Sequence, residues 1–396
     1  MMGPEVRGIG RYVSKLIEHL AIIDTKNQYT IFTRPKAAAL VPATMRTIIT
    51  DVPWYGLREQ RELPKLFDST GLDLIHVPHW NAPLRLRTPL IITIHDMILW
   101  EHPTLRATTL SPLAYAAKYF AYRYVVSKNA ARAKKILTVS QSAANAILRN
   151  LKIPAEKIFV TPLGISNNST PSETHLLDFE EHRAGPTSVS DRAKRNSARE
   201  AELSRVPKNE QMTTRPYILT VSSGYPHKNL STFFRVADEL MNRDQTLHAV
   251  VCGIDPAFMS RINHQAKQIM GVNVSRLQLL GVIPDAELGA LYQNAHVFIF
   301  PSLAEGFGLP PLEAAAVGIP IIASNIDTAR ETLGEAALLV PPTDIQAYLA
   351  AYDRLEHEPD LRQQLISKGK ARAELFSWQK TAEATLTAYH ETFSTP

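Results

Sequence analysis

The first 165 residues alternate between short, continuous apolar runs and longer stretches with helical spacing. Residues 11–23 place Val13, Leu16, Ile17 and Leu20 at the spacing of a half-buried helix. Apolar runs typical of buried parallel strands lie at 29–32, 73–77, 90–94, 136–139 and 158–160. Helical patterns lie between several of them, at 57–67, 113–134 and 141–148. Strands that alternate with helices predict a doubly wound α/β domain.

The same alternation restarts near residue 217, after an interruption. Residues 166–215 are rich in charged residues, Pro, Ser and Thr and have almost no apolar periodicity, so they bury too little surface to offset their ordering entropy. We therefore predict an N-terminal Rossmann-like domain at 1–165, a linker or insertion of low hydrophobicity at 166–215 and a C-terminal domain at 216–396. The final helix is expected to pack back on the N-terminal domain.

The start of the chain departs from the pattern of a doubly wound domain. A glycine-rich turn from Gly3 to Gly10 leads directly into the first predicted helix. Such a turn normally follows the first strand of the domain. No strand pattern precedes it here, so the N-terminal domain is expected to lack its first strand. The doubled Met suggests a start codon assigned too late or a truncated reading frame.

Composition excludes several classes of protein. Apolar residues make up 45% of the 396 residues and charged residues 20%, which is ordinary for a globular chain and argues against wholesale disorder. The single cysteine, Cys252, excludes an intrachain disulfide and a thiolate metal cage. No apolar run approaches the roughly 18 residues of a membrane span, and no secretory signal is evident. We therefore expect a cytoplasmic enzyme or binding protein.

The segment richest in candidate chemistry runs from Pro301 to Ala314. A predicted strand ends at Pro301, and a turn with two glycines follows it. A helix then begins at Pro310 and Pro311, because a first helical turn needs no amide hydrogen from these residues. The free amides of Phe307, Gly308 and Leu309 face outward with the positive end of the helix dipole, which is typical of an anion site. Glu305 and Glu313 flank this turn and can approach one ligand. Each glutamate taken alone could equally be an ordinary loop or first-turn acid.

Taken together, Glu305 and Glu313 in EGFGLPPLEA resemble the E-x7-E motif of the retaining glycosyltransferases of family 4. The sequence around Lys228-Asn229-Leu230 and the VTPLG run at 160–164 resemble the same family. The resemblance covers nearly the whole chain apart from the linker and the missing first strand. It implies the α/β GT-B fold, in which two Rossmann-like, doubly wound domains face each other across a cleft.

The resemblance also implies roles for residues of the C-terminal domain. Glu313 resembles the glutamate that holds the nucleotide ribose, and Glu305 the one beside the donor sugar and the reacting centre. Lys228 matches the lysine that neutralises the diphosphate leaving group, which makes it a catalytic residue together with Glu305. His227 also belongs to the expected donor site. The remaining expected donor contacts are the amides of Gly306, Phe307, Gly308 and Leu309, and the backbone of Ile283 near the base.

In the N-terminal domain, His95 matches the family histidine near the donor sugar and is the third expected catalytic residue. Gly8 and Gly10 resemble the turn that lets the backbone approach the donor phosphate. Alternatively, His95 is a buried histidine with a structural role only, and Gly8 and Gly10 only form a turn. His76 and the His79-Trp80 pair could line the acceptor side.

The C-terminal domain departs from the family pattern at two places. His227 stands where many relatives carry Arg, and Ser222 and Ser223 stand where some relatives place a diphosphate-binding Arg. Turnover is therefore expected to be slow or to depend on an arginine from elsewhere in the chain. No metal and no cofactor are expected, because a cation and a helix dipole can stabilise the departing charge.

The resemblance implies a retaining transferase that moves a hexose, with mannose favoured, from a GDP- or UDP-linked donor to a glycan or lipid-linked acceptor in polysaccharide or glycolipid assembly. No nucleophile is evident, so front-face attack is expected. A sucrose-, trehalose- or glycogen-type synthase and a catalytically weak nucleotide-sugar-binding module are the alternatives. No nucleic-acid motif accompanies the basic charge.

The net charge of +5 is concentrated in one region. Residues 102–155 contain nine Lys and Arg and neither Asp nor Glu, and aromatic residues lie between the basic ones at 113–134. A basic helix with interfacial aromatics is one signature of binding to an anionic membrane surface, here through residues 106–152. The protein would then act peripherally on the inner face of the membrane. The alternative is an ordinary α/β helix with a solvated basic face.

Overall fold

The computed structural model of the protein describes residues 8–104, 111–165 and 216–394. We call residues 8–165 the N-terminal half and residues 216–394 the C-terminal half. The predicted linker at 166–215 and residue Arg106 of the basic segment lie outside the described residues. So do residues 1–7, on which the expectation of a missing first strand depends.

The described part of the N-terminal half holds two parallel sheets rather than one. One sheet pairs β1 with β2, and the other has the order β3-β4-β5-β6. The sequence pattern missed β2, because three of its four side chains are exposed and give no buried run. The strands are β1 Thr30–Thr33, β2 Arg46–Ile49, β3 Ile75–Val77, β4 Leu90–Thr93, β5 Lys135–Thr138 and β6 Ile158–Val160, and the helices are α1 Gly8–Ile23, α2 Leu57–Asp68, α3 Ile98–Glu101, α4 Pro112–Arg132 and α5 Gln141–Leu151.

The C-terminal half is built on one parallel sheet of six strands, in the order β12-β11-β10-β7-β8-β9. Its strands are β7 Tyr217–Val221, β8 His248–Cys252, β9 Leu277–Leu279, β10 Val297–Phe300, β11 Ile321–Ser324 and β12 Leu338–Val340. Its helices are α6 Leu230–Arg243, α7 Pro256–Met270, α8 Asp285–Asn294, α9 Leu309–Val317, α10 Asp327–Leu333, α11 Ile345–His357, α12 Pro359–Ala373 and α13 Trp378–Ser394. The strand order reverses between β7 and β10, so a crevice opens beyond their carboxyl ends.

Buried strands and one short helix fix the geometry at this reversal point. Every residue of β10 and β11 is buried, as expected for a parallel sheet covered on both faces. α9 begins after Gly308, whose φ of 93° is a left-handed conformation that favours glycine. α9 ends at Gly318, whose amide donates to the carbonyls of Ala314 and Ala315. The turn before α9 is therefore held rigidly at the end of a central strand.

The last helix, α13, packs against α1 and β5 of the N-terminal half. Lys135 of β5 forms an ion pair with Glu391 at 3.0 Å. The hydroxyl of Thr381 donates to the carbonyl of Pro162 at 2.6 Å. Close by, Ile165 forms an isolated parallel bridge with Ser377. Among the described helices, none has the length and apolarity needed to cross a membrane.

Candidate active site

The two halves line a cavity of about 300 Å³ beyond the carboxyl ends of β10 and β11, and of the predicted site residues Glu305 alone lies on its wall. The turn after β4 lines it from the N-terminal side, together with α5. The turn after β10 lines it from the C-terminal side, together with α10. Carboxylates of Asp96, Glu101, Glu305 and Asp327 lie on its wall with Arg149 and Arg330. This cleft therefore brings charged groups of both halves to one place.

Lys228 and Glu305 form an ion pair at the reversal point. The lysine ends a short 3-10 turn after β7, and its Nζ lies 2.7 and 2.8 Å from the two carboxylate oxygens of Glu305. Both side chains are largely buried, with 18% and 8% of their surface exposed. The amide of Leu303 donates to the carbonyl of His227 at 2.7 Å, so the turns after β7 and β10 are tied together. The two residues that the sequence proposed for the leaving group and the reacting centre are thus in direct contact.

Glu313 is paired with a residue that sequence reasoning missed. Arg11, in the first turns of α1, places its guanidinium 2.5 Å from Glu313 and 2.7 Å from Asp285. The second oxygen of Glu313 accepts a hydrogen bond from Tyr292 at 3.0 Å, and burial followed by the Glu313 charge raises the pKa of this phenol well above its usual value. Glu313 is therefore a buried carboxylate held from both halves. The one signal in the sequence was an arginine directly after Gly10.

The turn after β10 touches the N-terminal half at Gly306. A Cβ placed on Gly306 would lie 2.5 Å from the carbonyl oxygen of His95 and 3.1 Å from Cβ of Asp96. The Gly306 carbonyl accepts a hydrogen bond from Ser140 at 2.7 Å. A second contact between the halves lies nearby, where Glu331 of α10 accepts from the first amides of α5, at 2.6 and 2.8 Å. Only glycine permits this approach at residue 306.

Two buried histidines of the predicted site, His95 and His227, are neutral at neutral pH. Burial lowers the pKa of His95 to about 4. Its Nε2 donates to the carbonyl of Pro78 at 3.2 Å, and its ring meets Tyr12 edge-on. Burial, followed by the charge of Lys228, also lowers the pKa of His227. His227 therefore adds no positive charge at this point of the site.

The predicted residues fall into three groups. The backbone carbonyl of His95 lies against Gly306, whereas its imidazole contacts Pro78 and Tyr12 rather than the Glu305–Lys228 pair. The prediction that Gly8 and Gly10 form a turn before the first helix is wrong, because α1 already begins at Gly8 and both glycines lie in its first turn, before Arg11. Ile283 packs at the edge of the core shared by both halves, and the ring of Phe307 is buried against Phe376 rather than facing the cleft.

His76 lies apart from the cleft chemistry. Its Nδ1 contacts the hydroxyl of Tyr389 at 2.6 Å and its Nε2 the hydroxyl of Thr93 at 2.8 Å. His79 and Trp80 pack with Tyr55 in an aromatic cluster. Asp96 was missed by sequence reasoning, although it follows His95 directly. Its Oδ1 accepts from the amide of Ile98 at 2.9 Å, and burial raises its pKa.

Comparison with known proteins agrees with this architecture. Residues 6–168 match the family described as Glycosyltransferase Family 4, and residues 204–372 match the family described as Glycosyl transferases group 1. The fold is similar to that of sucrose-phosphate synthase from Thermosynechococcus elongatus, with a TM-score of 0.70 and 22% identity over 98% of this chain and 94% of that one. It is also similar to Anabaena Alr3699/HepE in complex with UDP and glucose, with a TM-score of 0.67 and 17% identity over 100% and 98% of the two chains.

Curated relatives extend the comparison. The chain is 25% identical over 399 residues to O-antigen chain mannosyltransferase B of Escherichia coli, covering 96% of this chain and 95% of the relative. It is 27% identical over 335 residues to O-antigen chain mannosyltransferase RfbU of Salmonella typhimurium, covering 84% and 78%. The fold is therefore GT-B, as the sequence predicted. The protein is a glycosyltransferase, with a family 4 type segment in its N-terminal half and a group 1 segment in its C-terminal half.

Proposed function

We propose that the protein is a retaining mannosyltransferase of family 4 that acts in the assembly of a polysaccharide or glycolipid. It would take mannose from a GDP-linked donor, with a UDP-linked hexose as the alternative, and pass it to a glycan or lipid-linked acceptor. The observation that carries this proposal is the contact between Lys228 and Glu305 at the reversal point of a GT-B sheet. The mannosyltransferase relatives support the choice of sugar.

In this proposal the C-terminal domain, 216–396, holds the donor and the N-terminal domain, 1–165, faces the acceptor. Glu313 would accept hydrogen bonds from the ribose hydroxyls, and the backbone of Ile283 would contact the base. The amides at 306–309, at the positive end of α9, would hold the donor sugar and phosphate. Gly8 and Gly10, in the first turn of α1, would lie beside the phosphates.

Catalysis would depend on charge placed where the leaving group departs. The bond between the anomeric carbon and the phosphate oxygen breaks as the acceptor hydroxyl attacks on the same face. Because attack and departure share one face, the anomeric configuration is retained, and the hydroxyl proton passes to the leaving phosphate. Lys228 and the α9 amides stabilise the negative charge that develops on the diphosphate, and we propose that no metal or other cofactor takes part. The neutral imidazole of His95 and the carboxylate of Glu305 would position the donor sugar.

The experiment that tests the function combines binding with product analysis. Purified protein is titrated with GDP-mannose, UDP-glucose and ADP-glucose, and transfer to a mannose-terminated acceptor is followed by NMR of the anomeric proton. We expect preferential binding of GDP-mannose and an α-linked product from the α-linked donor. Inversion at the anomeric carbon contradicts the mechanism. Donor binding without transfer or donor hydrolysis favours a binding module instead.

A membrane contact through α4 is the second part of the proposal. Leu113, Phe120 and Tyr124 are 86%, 70% and 56% exposed, and their helical spacing places them along one line. The exposed basic residues Arg123 and Lys128 flank that line. We call this surface the α4 face. An apolar line between cations suits the anionic surface of a cytoplasmic leaflet, where a lipid-linked acceptor would be held.

Vesicle sedimentation tests the α4 face. Phe120→Asp should reduce binding to phosphatidylglycerol vesicles about tenfold, while Val272→Asp, at an apolar side chain that is 88% exposed in the C-terminal half, should not. Binding should fall as salt rises, because the attraction is screened. If the wild type, Phe120→Asp and Val272→Asp bind the vesicles equally, α4 is an ordinary solvated helix.

A further inference from the structure

We propose that Arg11 is a ligand of the donor diphosphate, supplied by the N-terminal half and held in readiness by Glu313. This inference rests on the proposed function, because it assumes that a nucleoside diphosphate sugar occupies the cleft. It adds a donor-binding residue and assigns it the charge that His227, Ser222 and Ser223 do not provide.

The charge of the site is the first argument. Around the donor position the carboxylates of Glu305, Glu313 and Asp285 face the cations Lys228 and Arg11. Each glutamate is paired with one cation, so in this state both cations are occupied by carboxylates. An anionic diphosphate entering such a site needs cations and would be repelled by unpaired carboxylates. This conflict is removed if the ion pairs exchange partners when the donor binds. Lys228 and Arg11 then contact the phosphates, and Glu305 and Glu313 accept hydrogen bonds from hydroxyls of the donor.

The geometry of Arg11 is the second argument. One nitrogen of its guanidinium contacts Glu313, whose side chain is only 7% exposed, and the other contacts Asp285, whose side chain is 68% exposed. An exposed ion pair contributes little stability, so the contact with Asp285 is easily replaced. A guanidinium presents five donors in a rigid fork that matches phosphate oxygens. The nitrogen released from Asp285 can therefore bind a phosphate while the other remains close to Glu313.

The position of Arg11 along the chain is the third argument. It lies in the first turns of α1, directly after Gly10, so its backbone is fixed to the N-terminal half while its partners belong to the C-terminal half. A diphosphate held by Lys228 on one side and Arg11 on the other would be gripped by both halves. Donor binding would then favour closure of the cleft. The competing explanation is that Arg11 only orients Glu313 toward the ribose.

A ligand series separates the two explanations. Dissociation constants of GDP and guanosine, and of UDP and uridine, are measured for the wild type and for Arg11→Gln. Guanosine has the ribose but no phosphate. If Arg11 binds the diphosphate, Arg11→Gln raises the dissociation constant of GDP about 10- to 100-fold, whereas the dissociation constant of guanosine stays within about twofold of the wild-type value. If Arg11 only orients Glu313, Arg11→Gln lowers the affinities for GDP and guanosine by the same factor, and the proposal is overturned.

Two further variants guard this test. Arg11→Lys keeps the charge without the fork and should lose an intermediate share of GDP affinity, which keeps the test usable if Arg11→Gln does not fold. Asp285→Asn leaves Arg11 in place and removes a competing carboxylate, so GDP should bind equally or more tightly. A loss with Asp285→Asn as large as that with Arg11→Gln contradicts the proposal. A wild type that binds neither GDP nor UDP contradicts the proposed function itself, and is thereby distinguished from a failure at Arg11.

Discussion

The two halves of the protein prepare the cleft in different ways. The C-terminal half has one sheet of six strands and brings permanent charges, Lys228 with Glu305 and the buried carboxylate of Glu313. The N-terminal half has two smaller sheets and brings close backbone contacts and the neutral imidazole of His95. Arg11 also extends a permanent charge from the N-terminal half to Glu313 of the C-terminal half. Under the proposed function, this difference assigns most of the diphosphate chemistry to the C-terminal half.

The largest effect is expected where that chemistry is most concentrated. Lys228→Met should lower kcat about 10²- to 10³-fold, because it removes a cation from the point where the leaving group gains charge. Lys368→Met breaks another lysine–glutamate pair of the same half, at an exposed surface, and should leave kcat unchanged. Steady-state transfer kinetics with both variants give the answer. Equal kcat values for the two would remove the main contrast between the halves.

The second effect concerns binding rather than the chemical step. Glu313→Gln should raise the Kd of the nucleotide about 10- to 100-fold, since a buried charged hydrogen-bond acceptor for the ribose is lost and Arg11 loses its partner. Glu287→Gln changes an exposed acid on the neighbouring helix α8 and is the matched control. Isothermal titration with GDP measures both. A nucleotide affinity unaffected by Glu313→Gln would show that the ribose is held elsewhere.

The third effect tests the neutral side of the cleft. Gly306→Ala places a methyl group 2.5 Å from the His95 carbonyl, so the two halves must separate slightly for it to fit. Overpacking of this kind costs ~1–3 kcal/mol, which corresponds to about 5- to 160-fold in kcat/KM if closure is required for transfer. Gly56→Ala, where an added Cβ meets nothing within 4 Å, is the control. Unchanged kcat/KM in Gly306→Ala would mean that the halves need not touch here.

The smallest effect is a pH dependence of stability to which three buried histidines of the N-terminal half contribute, together with His227 of the C-terminal half. Burial lowers the pKa of His95 to about 4 and the pKa values of His76 and His79 to about 3. The unfolded chain takes up these protons near pH 6.5 and the folded chain does not, so stability falls as pH is lowered below about 6.5. Each histidine contributes up to about 1.4 kcal/mol per pH unit.

Urea unfolding between pH 5 and 7 measures this slope. His95→Gln should remove about a third of the slope contributed by the three N-terminal histidines. The buried acids Asp96 and Glu59, whose pKa values are raised by burial, act in the opposite direction, so the slope of His95→Gln is compared with that of the wild type, in which both acids are also present. A slope that His95→Gln leaves unchanged would mean that this imidazole is already accessible to protons in the folded state.

The sequence predicted the C-terminal half better than the N-terminal half for a physical reason. Strands such as Val297–Phe300 are buried on both faces and therefore form apolar runs that single-sequence reasoning recognises. Strand Arg46–Ile49 is mostly exposed and gives no such run. The proposed partners Glu305 and Lys228 could be placed together only through the family resemblance. Contacts between the halves, such as Arg11 with Glu313, join residues far apart in the chain, and no local pattern encodes them.

The bridge between Ile165 and Ser377 has a mechanical consequence. Ile165, the last described residue of the N-terminal half, lies beside Ser377, which directly precedes α13. Gly164 lies so close to the backbone of Trp378 that a Cβ would come within 2.1 Å of its amide nitrogen. The end of the N-terminal half is therefore packed directly against the start of the helix that returns to it. A change in the angle between the halves would bend the chain at this contact, so substitutions at Gly164 should alter turnover without touching any substrate.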